Sequence, residues 1–340
     1  MFRFRPLEDY SINEPARLVI YDNRASTFVL KEELRAGEEF CLSFERLEEH
    51  LDYKFKIQTK SGGRWVDRVN YARLLPESET KDGIKYLFYP CKGSDKLVVV
   101  FQAINRKPGY NYIKTLSGVH ANRLYIKDEY GGDEETRSSY YLGKGRSFDI
   151  ADKVQRLIAE LTSLLKIERS DCIFAGSSKG GFAALYHGYR FGAGHILPGG
   201  PQVLLGDFLN SRAKESVHPP ILNHIAGGLD HESVAWANRI LQEAILSATA
   251  PFPHAEIHVG CREPHYHEHV LPFLELVEKA KIPNVAVDLG DYSTHDELAT
   301  HYPGFLRDRV ETIVLGLKSS VPAEGISKWN LAHPSGEREY

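Results

Sequence analysis

Five consecutive residues, Leu97-Val98-Val99-Val100-Phe101, are apolar and mostly β-branched. A strand with one face in water alternates apolar and polar side chains, so an unbroken run of this kind marks a strand covered on both faces. The chain after it keeps to that theme. Arg123-Leu124-Tyr125-Ile126 reads as a second strand. Residues 148–166 place Ile150, Val154, Leu157, Ile158, Leu161, Leu164 and Leu165 at helical spacing, with Ser147 as the predicted N-cap. Cys172-Ile173-Phe174-Ala175 is a third predicted strand, followed by a helix over 180–189. An apolar stretch at 195–197, a helix over 233–247, a strand at 256–259, a helix over 267–280, a strand at 285–289 and a helix over 304–317 continue the alternation. Strands alternating with helices predict the α/β class, a mainly parallel sheet flanked by helices.

The first 92 residues read differently. Short strand-like runs at 16–21, 27–30, 39–44, 53–59 and 84–89 are separated by polar turns such as Asp22-Asn23 and Ser61-Gly62-Gly63. That pattern predicts a small β-rich module over 1–92, ahead of the α/β domain over 93–318. The tail, 319–340, contains Pro322, Gly325, Pro334 and Gly336, and its Trp329 favours a strap across the surface over a loose end.

Composition removes several function classes. Lys and Arg total 42 against 46 Asp and Glu, a formal net charge of −4, which argues against a broad nucleic-acid or membrane-surface binder. No run of about 18 apolar residues is present, so no transmembrane helix is predicted. The opening residues have no apolar segment of the kind a secretory signal needs. The four cysteines, Cys41, Cys91, Cys172 and Cys261, stand singly and form no disulfide framework. A cytoplasmic location, or one peripheral to the membrane, is the resulting expectation.

The chemistry centres on Gly176-Ser177-Ser178-Lys179-Gly180-Gly181. It fits G-x-S-x-G and lies between a predicted strand and a predicted helix, the context of a nucleophile elbow. The turn is tight enough that the flanking residues must be small, and it thrusts the Ser178 hydroxyl off the sheet end. The blander reading is a glycine-rich turn that packs a helix on a strand. An elbow serine needs a carboxylate and then a histidine later in the chain. Gly290-Asp291-Tyr292-Ser293-Thr294-His295 follows a predicted strand, so His295 is the expected general base, with His301 as its rival. Glu263 is the first carboxylate after the preceding strand and the expected acid, with Glu268 and Asp291 as alternatives. The oxyanion donors should be the backbone N–H of Lys179 and that of Gln102 or Ala103, in the loop after the first central strand.

Other groups stand beside this set. The Lys179 side chain could face an anionic substrate or simply be solvated. The polar, tyrosine-rich loop with Lys127, Asp128, Tyr140 and Tyr141 suits contact with a carbohydrate substrate, or packing. Cys261, His265, His267 and His269 are soft ligands but lack an HExxH or CxxC pair, so no metal is expected. Gly143-Lys144-Gly145-Arg146-Ser147 lacks the phosphate-loop spacing.

Taken together, Asn122 to Asp128, Ser139-Tyr140-Tyr141-Leu142-Gly143, the Gly176 to Tyr186 segment and Asp291 to His295 resemble a group of bacterial α/β-hydrolase-like proteins. The group includes XcbB/CpsF-type capsular polysaccharide biosynthesis proteins, a hydrolase-like accessory Sec component and capsule O-acetyltransferases. The resemblance covers about residues 95–310. It implies Ser178 as nucleophile and His295 as base, and its acid is often Asp where this chain has Glu263. It further implies acyl transfer to, or ester cleavage on, a surface polysaccharide. Acetyl-CoA is then a candidate donor, and no cofactor is tightly bound. A homo-oligomer or a glycan-biosynthesis complex is the implied assembly. A non-catalytic assembly component and a serine peptidase are the alternatives.

Overall fold

The computed structural model describes residues 2–317 apart from positions 5, 43–52, 76, 106–107, 134–135 and 211–217. The predicted 319–340 strap with Trp329 lies outside the described residues, as do positions 43–44 of one predicted strand. The chain divides into two compact units, Met1–Glu79 with Leu87–Pro90, and Thr80–Tyr86 with Cys91–Tyr340.

In the first unit, β1 (Ala16–Asp22), β2 (Thr27–Leu34), β3 (Tyr53–Ser61) and β4 (Arg64–Arg73) form an antiparallel sheet in the order β2-β1-β3-β4. One face supplies the core: Ala16, Leu18 and Ile20 from β1 pack with Tyr53, Phe55 and Ile57 from β3. Side chains alternate across a strand, so Arg17, Val19 and Tyr21 fall on the opposite face. Strand β4 was not predicted. Its sequence, Arg-Trp-Val-Asp-Arg-Val-Asn-Tyr-Ala-Arg, buries no residue fully, so it lacks the apolar alternation that marks a strand.

The second unit carries six strands in one parallel run. These are β5 (Leu97–Phe101), β6 (Asn122–Ile126), β7 (Cys172–Ser177), β8 (His195–Gly199), β9 (His254–Gly260) and β10 (Val285–Gly290), ordered β10-β9-β8-β7-β5-β6. Every residue of β5 and of β7 is buried, as the unbroken apolar run required. The helices are α1 (Asp149–Leu165), α2 (Lys179–Phe191), α3 (Leu205–Leu209), α4 (His218–Ala226), α5 (His231–Leu246), α6 (Leu271–Lys279) and α7 (Leu298–Val314). The sheet with its flanking helices is the predicted α/β architecture.

Two helix starts differ from expectation. Phe148, with φ 55°, takes the N-cap position of α1, while Ser147 donates its hydroxyl to Asp149 Oδ1 at 2.5 Å. Helix α7 begins before Pro303 instead of after it. A capping box at Thr294 and Glu297 nucleates a short 3-10 turn, His295–Glu297, that runs straight into α7.

The strand order reverses between β5 and β7. The chain first steps outward from β5 to β6, then returns to lay β7 on the other side of β5. Loops diverge at such a switch point and leave a crevice at the carboxyl ends of the strands.

Candidate active site

Ser178 is the single residue between the end of β7 and the start of α2. Its backbone has φ 55° and ψ −121°, a conformation a non-glycine residue holds only when its surroundings enforce it. The neighbouring glycines show how. A Cβ on Gly180 would lie 2.4 Å from the Phe101 carbonyl oxygen, and one on Gly176 would lie 2.5 Å from the Gly180 oxygen. Only glycine lets β5, β7 and α2 approach so closely. The buried Tyr302 of α7 fastens the turn from below. Its hydroxyl accepts from the Gly176 N–H at 3.0 Å and donates to the Leu197 oxygen at 2.5 Å.

The loops after β9 and β10 bring the next two groups to the serine. His295 Nε2 lies 2.9 Å from Ser178 Oγ, and His295 Nδ1 lies 2.5 Å from Glu263 Oε1. The Glu263 side chain is fully buried, and its second oxygen accepts from the Gly260 N–H at 3.1 Å. The alternatives lie elsewhere. His301 is exposed and stacks on Tyr292, Glu268 is exposed, and Asp291 pairs with Arg262 at 2.8 Å.

Two residues that sequence reasoning did not place complete the cluster. Gln202 Nε2 lies 3.0 Å from Ser178 Oγ and 3.1 Å from His265 Nε2. The His265 ring stacks on His295 with centroids 4.0 Å apart. Proton positions follow from the partners. Glu263 accepts, so His295 Nδ1 carries hydrogen and its Nε2 is a lone pair. The Ser178 hydroxyl therefore donates to His295, and its oxygen is left to accept from the Gln202 amide. The second Gln202 N–H then meets a lone pair on His265 Nε2. Burial, reinforced by the neighbouring His295, pushes the His265 pKa down to about 2, so the ring stays neutral. Glu263, His265 and His295 offer ligand atoms within 4.8 Å of one another, although Glu263 and His295 are bonded to each other and His295 to Ser178. Cys261, His267 and His269 are not part of that group.

The oxyanion expectation needs revision in one half. Lys179 lies in the first turn of α2, where helical N–H groups lack intrahelical acceptors. The other predicted donors are engaged. Gln102 N–H donates to the Tyr141 hydroxyl at 2.6 Å, and Ala103 N–H donates to Asn111 Oδ1 at 3.0 Å.

The expected carbohydrate loop is likewise mostly interior. Tyr140 and Tyr141 are fully buried against Phe182 and Phe101. Lys127 is buried and pairs with Glu129 at 3.0 Å. Asp128 and Lys179 form a buried ion pair at 3.0 Å, and Asp128 also accepts from Ser138 Oγ at 2.6 Å and Ser139 N–H at 3.1 Å. Burial pushes the Asp128 pKa up, but the Lys179 ammonium and these donors outweigh it and hold the group below its ordinary value. Tyr140 and Tyr141 belong to the core, so their assignment as substrate contacts is corrected, while Asp128 lines a cavity together with Gln102 and Lys179. Paired aromatic and charged residues in a loop look alike in sequence whether they face a sugar or the core.

Six parallel strands, a serine on the turn after β7 and a histidine after β10 define one architecture. The fold is that of the α/β hydrolases. A Staphylococcus aureus fluorophosphonate-binding serine hydrolase, FphF, matches with a TM-score of 0.51 and 10% identity, over 70% of this chain and 96% of that one. A variant of the capsule O-acetyltransferase of Neisseria meningitidis serogroup A, in complex with CoA, matches with a TM-score of 0.58 and 22% identity, over 71% of this chain and 96% of that one. The Gap123 glycosylation-associated complex of Streptococcus agalactiae matches with a TM-score of 0.59 and 15% identity, over 88% of this chain and 60% of that one. In sequence, the chain is 30% identical over 170 residues to an accessory Sec system protein of Streptococcus gordonii. That match takes in 48% of this chain and 31% of the Sec system protein, so the likeness spans about a third of the curated relative. No protein-family model matches. The α/β-hydrolase-like glycan-modifying proteins suggested by the sequence motifs are thus among its neighbours. Among the described residues, no helix is long and apolar enough to cross a membrane.

Proposed function

We propose that the chain is a serine acyltransferase that moves an acetyl group onto a hydroxyl of a bacterial surface polysaccharide, with acetyl-CoA as donor. The observation that carries this reading is the continuous hydrogen-bonded line from Ser178 Oγ through His295 to the buried Glu263. In the first half-reaction Oγ bonds to the acyl carbon while its proton passes to His295 Nε2. The carbonyl electron pair moves onto oxygen, and the Lys179 N–H and the Gln202 amide donate to it. Gln202 takes this role because its N–H toward Ser178 Oγ is released as Oγ bonds to the acyl carbon, whereas the Gln102 and Ala103 N–H groups keep acceptors within the fold. Collapse expels the thiolate, which takes the proton from His295. In the second half, an acceptor hydroxyl gives its proton to His295 and attacks the acyl-serine; collapse breaks the acyl–Oγ bond, and Ser178 Oγ takes that proton back from His295 Nε2. Glu263 keeps the imidazole oriented and stabilises its cationic form throughout.

The capsule O-acetyltransferase likeness supports acetyl transfer over plain ester hydrolysis, which would use the same residues with water as acceptor. The likenesses to the accessory Sec system protein and to Gap123 favour a second reading, a component of a glycosylation or export complex that need not turn over. A fluorophosphonate probe separates the two. The acyltransferase is labelled once, on Ser178, and labelling is lost in His295→Ala. A folded protein that resists the probe supports the complex component.

A further inference from the structure

The first unit buries one face of its sheet in its core, and on the other face long charged and aromatic side chains lie outside a covered Val19 and Gln58. On that outer face the cross-strand register brings cations and aromatic rings together. Tyr21 pairs with Phe28 on one side and Lys54 on the other, and Val19 lies between Lys31 and Lys56. Lys60 pairs with Trp65, and Arg17 with Gln58. The cations sit over the rings: Lys31 is 4.4 Å from the Phe28 centroid, Lys56 5.3 Å from Tyr71, and Arg17 and Lys60 are 4.6 and 4.9 Å from Trp65. Phe28 and Tyr71 remain 54% and 41% exposed, which the folding of a solvated sheet face does not require. Two carboxylates, Glu33 and Asp67, fall on this face among the described residues, and Asp67 is taken by Gln58 and Lys56. A chain of net charge −4 thus concentrates positive charge on one sheet face.

We propose that this face binds an acidic polysaccharide. Charge complementarity calls for a polyanion. Single-stranded nucleic acids bind by stacking bases on open aromatic faces. Here Phe28, Tyr71 and Trp65 each have a cation of the module over the ring, so a ligand meets rows of positive charge between strands. A polymer with carboxylates or phosphates between sugar hydroxyls fits that surface. The choice of a polysaccharide rests on the function proposed above; the positive face does not.

The test is binding of the full chain to oligogalacturonate, with dextran as neutral comparator and oligothymidylate as nucleic-acid comparator. Oligogalacturonate should bind, weaken as salt is raised, and weaken at least tenfold for Lys31→Glu with Lys60→Glu, both positions being exposed. The same charge change at the exposed Lys144 and Lys279 of the second unit should leave binding within twofold. If the first pair disturbs folding by circular dichroism, Lys31→Gln with Lys60→Gln replaces it. Binding should persist in Ser178→Ala, so a failure of the acyl chemistry leaves this result standing. The proposal is overturned by no binding to oligogalacturonate, by equal binding to dextran, by equal or tighter binding to oligothymidylate, or by equal loss in both charge-reversal pairs.

Discussion

Removing the Asp128 carboxylate leaves the buried Lys179 ammonium without its counter-charge. Lys179 is 1% exposed and has Asp128 as its anionic partner, 3.0 Å away. Asp128 in turn accepts from Lys179, from both the hydroxyl and the N–H of Ser139, and from the Ser138 hydroxyl. Asp128→Ala leaves an ammonium without a counter-charge in the interior, which destabilises by about 3–5 kcal/mol. In a unit of this size, 1 kcal/mol shifts the melting temperature by about 2–4 °C, so the fall should be roughly 6–20 °C. Lys179→Met alone leaves the carboxylate with its serine donors and should be less damaging. The double variant removes both charges, and a well-packed apolar replacement of a buried pair is often neutral. It should therefore melt well above Asp128→Ala, with a coupling of about 2 kcal/mol or more in the thermodynamic cycle. Thermal unfolding of the full chain by circular dichroism gives all four corners. Additive losses, with the double variant least stable of all, would refute the ion-pair reasoning.

Ser178→Ala should leave the melting temperature within a few degrees of the parent while abolishing fluorophosphonate labelling, since the side chain is a ligand to the site and not to the core. Gln202→Leu should slow labelling by roughly 10²–10³-fold, the usual loss for one oxyanion donor, and the loss should be larger for an oxo-ester than for its thiono analogue; equal losses would make Gln202 a structural residue. Stability should fall on acidification below pH 6.5. His187, His265 and His269 are buried, and desolvation lowers their pKa values to about 3, 2 and 4. The unfolded chain therefore binds protons in that range that the folded chain refuses, and each such histidine contributes up to about 1.4 kcal/mol per pH unit. Denaturation curves between pH 7 and pH 4.5 should show that slope, and His187→Gln should flatten it. Gly180→Ala should yield little folded protein, because its methyl would meet the Phe101 oxygen at 2.4 Å.

The sheet was legible because β5 and β7 are apolar without interruption, a pattern only a doubly covered strand tolerates. Ser178, Glu263 and His295 were legible because each falls just past a strand end, and parallel strands deliver such residues to one edge. Gln202 was not. It follows Gly199-Gly200-Pro201 in no motif, and its contact with Ser178 exists only once β8 lies beside β7. Tyr140 and Tyr141 misled for a related reason. Burial depends on what covers a loop, and the covering residues, Phe101 and Phe182, come from other parts of the chain. Strand β4 escaped because a polar edge strand is defined by its neighbour's hydrogen bonds more than by its own side chains.

Tyr302 ties the elbow to the end of the described chain. The Gly176 N–H it holds lies 126 residues earlier, and His295 lies 117 residues beyond Ser178. At about 5–20 residues per second, a ribosome needs roughly 6–23 seconds to make the stretch between serine and histidine. Throughout that interval the nascent chain displays its serine turn with neither the base beside it nor the clamp beneath it. Ser178 and His295 thus meet only late in synthesis, once the segment leading into α7, the last helix among the described residues, is in place.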